Sequence, residues 1–580
     1  MQNTTKSSPF PLATALRASI KGYSSATFGH DLLSAFVVSL IALPLSMALS
    51  IAVGLSPEHG IYTAIIAGTI VPLLGGSKFQ VSGPTAAFVV ILAPIVSELG
   101  LRGIIWCNLL AGVFLLIFGF TKLGRLINYI PYPVTTGFTA GIAVVLAVIS
   151  LNDFLGLGIE NLNGHFIDKA IIIINHLPDL NPFEFAIGAT SLILLFIGRH
   201  IIKFLPTAIT AIIVAILLSF LFAHFGYDVA TIGSKFSYIA SDGKLTSGIP
   251  PYLPKFHLPN LNNNDLFTIP TLEELRHLLS PALIIAVLAA LESLLSATVA
   301  DSMSGSKHNP NAELNAIGIG NILSALVGGI PATGAIARTA TAVNSGAKTP
   351  LASSMHALLI MIYILILAPY ISYIPIASLA GLLIHTAYRM SHYRQFIRIA
   401  KIAPIGDVVV LFTCFILTVF VDMVAGVGIG MICASFLLMQ RIIDLTAVTT
   451  KDHDNKGSKF SQKLPQGTVI YRINGPLFFG TIEKTLDRYY FTHDFVNKFI
   501  LDISNVPFVD ISALVALKSM ITSIAGQKCT IHIISNNSEI IEKIKQKMHK
   551  TDAEKCLFFH KKISEIIKNN RHDLREILKN

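Results

Sequence analysis

The sequence predicts an α-helical membrane domain of fourteen segments, arranged as two inverted seven-segment repeats, with a small α/β domain behind it. Three observations carry this. The 580 residues are 53% hydrophobic and only 13% charged, too apolar for an ordinary soluble chain. The apolar material stops near Arg441, and the tail is ordinary in composition. Two apolar stretches far apart break in the same way: Val81-Ser82-Gly83-Pro84-Thr85-Ala86-Ala87-Phe88 and Gly328-Gly329-Ile330-Pro331-Ala332-Thr333-Gly334-Ala335-Ile336-Ala337-Arg338-Thr339. Proline removes a backbone donor and clashes with the preceding turn. Inside a bilayer the freed backbone groups survive only against protein or a wet cavity.

Residues 1–30 are polar and lack a cleavable signal pattern, so the first membrane helix is expected to act as its own insertion signal. Apolar windows then fall at 31–53, 61–76, 84–97, 102–121, 133–150, 184–202 and 206–225. A polar insert follows at 226–279, and seven more windows at 280–300, 313–328, 335–345, 351–370, 375–390, 405–421 and 423–440. The third window of each set, 84–97 and 335–345, is the broken one and reads as a half-helix. Two kinked spanning helices are the alternative. Seven segments per half is an odd number, so the halves, about 31–225 and 280–441, have opposite topology.

Charge placement agrees with this count. With the N-terminus inside, even-numbered segments exit to the cytoplasm. Lys122 and Arg125, Arg199 and Lys203, Lys307 and His308, and Arg394, Arg398 and Lys401 follow such segments. The insert carries no basic excess and faces outward. Both termini are then cytoplasmic. The net charge of +10 is accounted for by positive-inside loops, not by nucleic-acid binding. Cys107, Cys414, Cys433, Cys529 and Cys556 show no pairing or metal spacing, so no disulfide, metal site or cofactor is expected.

Residues 442–466 read as a polar linker. Beyond it, 468–473, 499–503 and 529–535 read as strands, and 512–525 and 538–550 as helices, giving an α/β domain over 467–580. Ser512 is expected to N-cap the first of these helices. No P-loop or dinucleotide fingerprint is present, which argues against a nucleotide-driven pump, and no enzyme activity is expected.

Gly75-Gly76-Ser77 before the first break, Ala290-Leu291-Glu292-Ser293-Leu294-Leu295, Asn321-Ile322 and the second break together resemble the SulP (sulfate permease, solute carrier 26 type) anion transporters, which carry a C-terminal STAS domain and have a uracil-permease-like fold. The resemblance covers nearly the whole chain. The phrases Ala42-Leu43-Pro44-Leu45-Ser46-Met47-Ala48-Leu49 and Gly475-Pro476-Leu477-Phe478-Phe479 look most like the bacterial branch that moves C4-dicarboxylates such as succinate, fumarate and aspartate with protons. The resemblance implies a secondary active transporter in the bacterial inner membrane, a homodimer, and a cytoplasmic STAS domain open to a protein partner. In Val509-Asp510-Ile511-Ser512 the place of the serine phosphorylated in related STAS loops is taken by Ile511, so that switch is missing.

The same resemblance places a small anionic substrate between the two half-helix N-termini. The expected contacts are Thr85, Ala86, Ala87 and Phe88 on one, and Ala335, Ile336, Ala337 and Arg338 on the other. Leu45, Ser46 and Leu49 form the third wall, with Leu45 departing from the Gln of animal members. No catalytic residue is expected. Arg338 is costly at mid-bilayer. It is read as an anion contact, with a structural carbonyl or carboxylate partner as the alternative. Glu292 is the lone acid between Pro281 and Ala300, and a lone membrane carboxylate marks function by default. It is read as the proton carrier with Ser296 one turn on. Sodium stays open, because sodium-coupled bicarbonate members carry Asp there, as does a plain helix-packing bond. Asp31, Asp301, Asp407 and Asp422 sit at segment ends and read as caps or interface residues. A bicarbonate or sulfate transporter and an anion channel of the same fold are competing readings. A membrane-anchored sensor is disfavoured, because anchoring needs one or two helices.

Overall fold

A computed structural model describes residues 11–124, 130–159, 162, 164–201, 206–240, 244–260, 266–452, 467–482, 485, 497–527, 529–563 and 565–566. Arg125 and Lys203 of the charge pattern, and 453–466 of the expected linker, lie outside them. The chain divides into two compact units, one ending at Met431 and the other starting at Ile432.

The first unit opens with α1 (Thr14–Ile20), α2 (Ser25–Val53) and α3 (Pro57–Leu74). Then come β1 (Ser82–Gly83), α4 (Ala86–Phe120), α5 (Tyr132–Leu155), α6 (Phe166–Asn175), α7 (Pro182–Ile201) and α8 (Thr207–His224). The insert holds α9 (Ile232–Lys235), β2 (Ser237–Ile239) and β3 (Leu245–Ser247). The second half runs α10 (Leu272–Ser304), α11 (Pro310–Ala325), β4 (Thr333–Gly334), α12 (Ile336–Asn344), α13 (Pro350–Ile371), α14 (Ile376–Met390), α15 (Tyr393–Ile402), α16 (Ile405–Phe420) and α17 (Met423–Leu445).

Every apolar window coincides with helix. Seven helices are long and apolar enough to cross a membrane by length and composition among the described residues. Windows 84–97 and 102–121 are two arms of α4, separated where Gly100 takes φ 61° and ψ −160° inside the helix. A non-glycine residue is strained there, and the bend ends the half-helix.

The halves pack as exchanged equivalents. α4 packs on α11 as α13 packs on α3, and α16 packs on α5 as α7 packs on α14. Small residues let the backbones approach. A Cβ on Gly112 of α4 would lie 2.7 Å from the Gly318 carbonyl oxygen of α11, and one on Gly318 would lie 2.8 Å from the Gly112 oxygen. Each half also holds one ten-residue amphipathic helix, α6 or α15, at the corresponding place. Hydropathy windows pass over α15 because its polar face cancels its apolar one, and over α6 because ten residues are too few to cross a bilayer.

Of the aspartates at segment ends, Asp422 caps its helix, while Asp31 and Asp301 tie down the residues that lead into α13 and α11. Buried Asp31 of α2 accepts Lys348 N at 2.7 Å, Thr349 N at 3.1 Å and Thr349 Oγ1 at 2.5 Å, and so holds Thr349, the N-cap of α13, from another helix. Asp422 Oδ1 accepts Ala425 N at 2.8 Å. Asp301 accepts His308 N at 2.9 Å. Asp31→Ala leaves the buried Thr349 N–H and the part-buried Lys348 N–H unpaired, and a buried donor so left costs about 1–3 kcal/mol. The expected outcome is a clearly lowered melting temperature in detergent with transport retained in the folded fraction. Asp31→Asn, which keeps an acceptor, should lose less.

In the second unit the sheet begins earlier than expected. α17 runs to Leu445 and β5 (Ala447–Asp452) pairs antiparallel with β6 (Thr468–Asn474), so 442–452 is helix and edge strand, not linker. β6, β7 (Lys498–Asn505), β8 (Thr530–Ile534) and β9 (Leu557–His560) are parallel, in the order β5-β6-β7-β8-β9. Tyr471, Leu501 and Ile533 alternate onto the face covered by α18 (Ile511–Gly526) and α19 (Ser538–Met548), and Ile470 and Ile500 onto the other. The cap of α18 is Asp510, whose side chain accepts Ala513 N at 2.7 Å, and not Ser512. Asp510 has the extended backbone a cap needs, while Ser512 already lies in the first turn.

Candidate functional site

The two breaks meet. β1 and β4 pair antiparallel with Ser82 opposite Gly334 and Gly83 opposite Thr333, and Ala335 N donates to Val81 O at 2.8 Å. α4 and α12 start from this crossing. Among the described residues, the N–H groups of Ala86, Ala87, Ile336 and Ala337 have no protein acceptor, as expected in the first turn of a helix.

Side chains from α10 and α11 hold the crossing. Asn321 donates from Nδ2 to Ala332 O at 3.0 Å and accepts Ala332 N at 2.7 Å. Ser293 Oγ accepts Gly334 N at 3.0 Å and lies 2.7 Å from Thr333 Oγ1. Ser296 Oγ donates to Thr339 Oγ1 at 3.0 Å, and Thr339 Oγ1 also accepts Val81 N at 3.0 Å. Glu292, Ser293 and Ser296, at i, i+1 and i+4, form one polar stripe in the apolar middle of α10. That stripe is the feature that would have revealed Ser293, which sequence reasoning did not assign.

Arg338 is 2% exposed. Its Nη2 donates to the Pro84 carbonyl of the other half, while Nε and Nη1 have no protein acceptor. The guanidinium lies against Gly83, where a Cβ would come within 2.8 Å of Nη1 at a backbone φ of 153°. So the structural partner exists, a carbonyl, and donors are left over. Glu292 is 8% exposed, receives a 2.7 Å hydrogen bond from Thr85 Oγ1, and lies within electrostatic range of Arg338.

Two expected roles change. A hydroxyl has one proton, and that of Thr85 goes to Glu292, so Thr85 can offer an anion no O–H donor while this bond stands. The Ser296 proton goes to Thr339, so Ser296 supports the crossing and does not bond Glu292. Ala86, Ala87, Phe88 and Ala335 are buried, Ile336 is half-buried and Ala337 is exposed. The third wall is less direct. Leu49 is buried in the main core, and Leu45 packs with Leu195, Ala208, Ala211 and Leu382 of α7, α8 and α14. Ser46 is 1% exposed with its hydroxyl unpartnered.

The sulfate permease family matches residues 28–413, and a STAS domain matches 460–566. The chain belongs to the sulfate permease family. It is an anion transporter of that family with seven crossing-length apolar helices among the described residues, and its family is one of transporters rather than enzymes. It is 36% identical over 546 residues to the putative sulfate transporter YvdB of Bacillus subtilis, covering 93% of this chain and 96% of that protein. It is 26% identical to the bicarbonate transporter BicA of Picosynechococcus, covering 91% and 92%. The transmembrane domain of a cyanobacterial BicA superposes with a TM-score of 0.60 at 27% identity, over 70% of this chain and 99% of that one. Murine Slc26a9 superposes with a TM-score of 0.79 at 18% identity over 96% and 94%, which shows the shared fold.

Proposed function

We propose that this family member is a secondary active transporter that carries a small oxyanion together with a proton, both bound at the β1–β4 crossing. The observation that supports it is the joining of Glu292 and Arg338 through Thr85 and Pro84. With both ionised, the pair is neutral and gives an anion no net charge to answer. A proton on Glu292 leaves the guanidinium uncompensated in a low-dielectric site, and an anion restores neutrality. Proton and anion therefore favour each other's binding, which is the requirement of a symporter.

The relatives named above are sulfate and bicarbonate transporters, so the first substrates proposed are those oxyanions. C4-dicarboxylates, which the sequence phrases suggested, have no support among these relatives. The charge pattern supports a plasma-membrane orientation with both termini cytoplasmic, and the family resemblance supports a homodimer and a regulatory STAS domain.

The test is uptake of radiolabelled sulfate, bicarbonate and succinate into proteoliposomes under imposed proton or sodium gradients. The expected result is accumulation that follows the proton gradient and collapses with a protonophore. Uptake that follows sodium alone, or that ignores both gradients, overturns proton coupling. Accumulation of succinate but neither oxyanion restores the dicarboxylate reading.

A further inference from the structure

Apart from the crossing, the membrane unit contains a cavity of about 400 Å³ between α2, α4, α5, α6 and α14 on the side of the insert. Its walls include Ala48 and Ala93, on the two helices that carry Leu49 and Phe88 of the candidate site, and Leu379 and Leu383 of α14. Three charged side chains face it: Asp153, Lys169 and Lys235. Asp153 and Lys235 pair at 3.5 Å. Among the described residues Lys169 has no such partner.

The reason Lys169 sits there is local. α6 starts with a capping box in which His165 N donates to Asp168 Oδ2 at 2.9 Å, which sets the rotation of a short amphipathic helix. The face it buries consists of Lys169 and Ile173. Lys169 is 9% exposed, and no carboxylate or other side-chain acceptor reaches its ammonium among the described residues. Burial alone acts on it and holds its pKa below the ordinary lysine value. A buried ammonium without a counter-charge is strongly unfavourable. Structural lysines avoid this by pairing or by snorkelling to water. Here the free charge faces a cavity, the paired groups beside it cancel, and among the described residues the cavity lining carries one net positive charge.

We infer that Lys169 is the counter-charge of a second anion site, a waypoint where the transported oxyanion rests between the insert-side solution and the β1–β4 crossing. The inference rests on the anion-transport reading and adds the site, the residue and the ligand class. The cavity is walled by helices and the insert, and its size admits a hydrated sulfate or bicarbonate. The Asp153–Lys235 pair is neutral, so Lys169 alone supplies the charge that answers an anion there.

The test uses full-length protein in liposomes of zwitterionic lipid, with sulfate and bicarbonate as probes and the variants K169M and K169R. Losing a charge-assisted contact made in binding but not in the rate-limiting step raises KM by about tenfold and leaves the maximal rate within about twofold. K169R should keep a near-wild-type KM. K169M should not lower the melting temperature, since it removes an unpaired buried charge. An unchanged KM in active K169M overturns the inference, as does a fall in melting temperature that accompanies the loss of rate. A KM defect in K169M that appears only when anionic phospholipid is present would assign Lys169 to a lipid phosphate and likewise overturn it. Wild-type protein that carries neither probe overturns the transport reading beneath it, which is a separate outcome.

Discussion

Glu292→Gln is expected to give a folded transporter that equilibrates its anion but no longer concentrates it. The amide oxygen can still accept the Thr85 hydroxyl, so the 2.7 Å link between α4 and α10 persists. What is lost is titration. One coupled proton supports up to about tenfold accumulation per pH unit, or about 1.4 kcal/mol. The variant should therefore hold an inside-to-outside ratio near unity under any pH gradient. Gln also resembles the protonated acid, so Arg338 stays uncompensated. Anion binding to purified E292Q should be as tight as in the wild type at acidic pH, and should not weaken as pH rises. Binding that is lost at every pH would show that Glu292 is a structural tie. Wild-type accumulation by E292Q would move the proton carrier elsewhere.

The breaks and their consequences differ in how far a single sequence displays them. Pro84, Pro331 and the glycines around them interrupt two apolar runs, and that interruption is local chemistry, visible without a fold. Gly100 stands between two apolar windows for the same reason. The pairing of Ser82 with Gly334 is not visible, because it joins residues that share no local pattern. The Thr85–Glu292 bond, across 207 positions, is of this kind too. It redirects Thr85 from the anion to the carboxylate, and no periodicity in either segment announces it. α15 escapes hydropathy because its residues average out and α6 because ten residues are too short for a crossing, and with α6 went Lys169. In the tail, β5 was hidden by its polar edge, and Asp510 took the cap because the helix starts one residue before Ser512. In each case what stayed hidden was a long-range partner or a half-polar element.

Arg338→Ala should be the most damaging single change for anion affinity. A charge-assisted hydrogen bond contributes about 1.5–3 kcal/mol, so the expected loss is roughly 10- to 150-fold in Kd. The free Nε and Nη1 are the donors at stake, and Nη2 on Pro84 O is what aims them. Sulfate, a dianion, should lose more than bicarbonate, because the Coulomb term scales with ligand charge while the half-helix dipoles remain. Arg338→Lys keeps the charge but has no fork to hold Pro84 and reach an anion together, so it should recover only part of the affinity. Arg338 and Glu292 also answer each other's charge, so their effects should not add. In the E292Q background the guanidinium is uncompensated at every pH, and removing it should cost more affinity at alkaline pH than it does in the wild type. Equal losses for both anions, with strict additivity of the two changes, would reduce Arg338 to a brace for the Pro84 carbonyl and leave the dipole ends of α4 and α12 as the whole of the anion site.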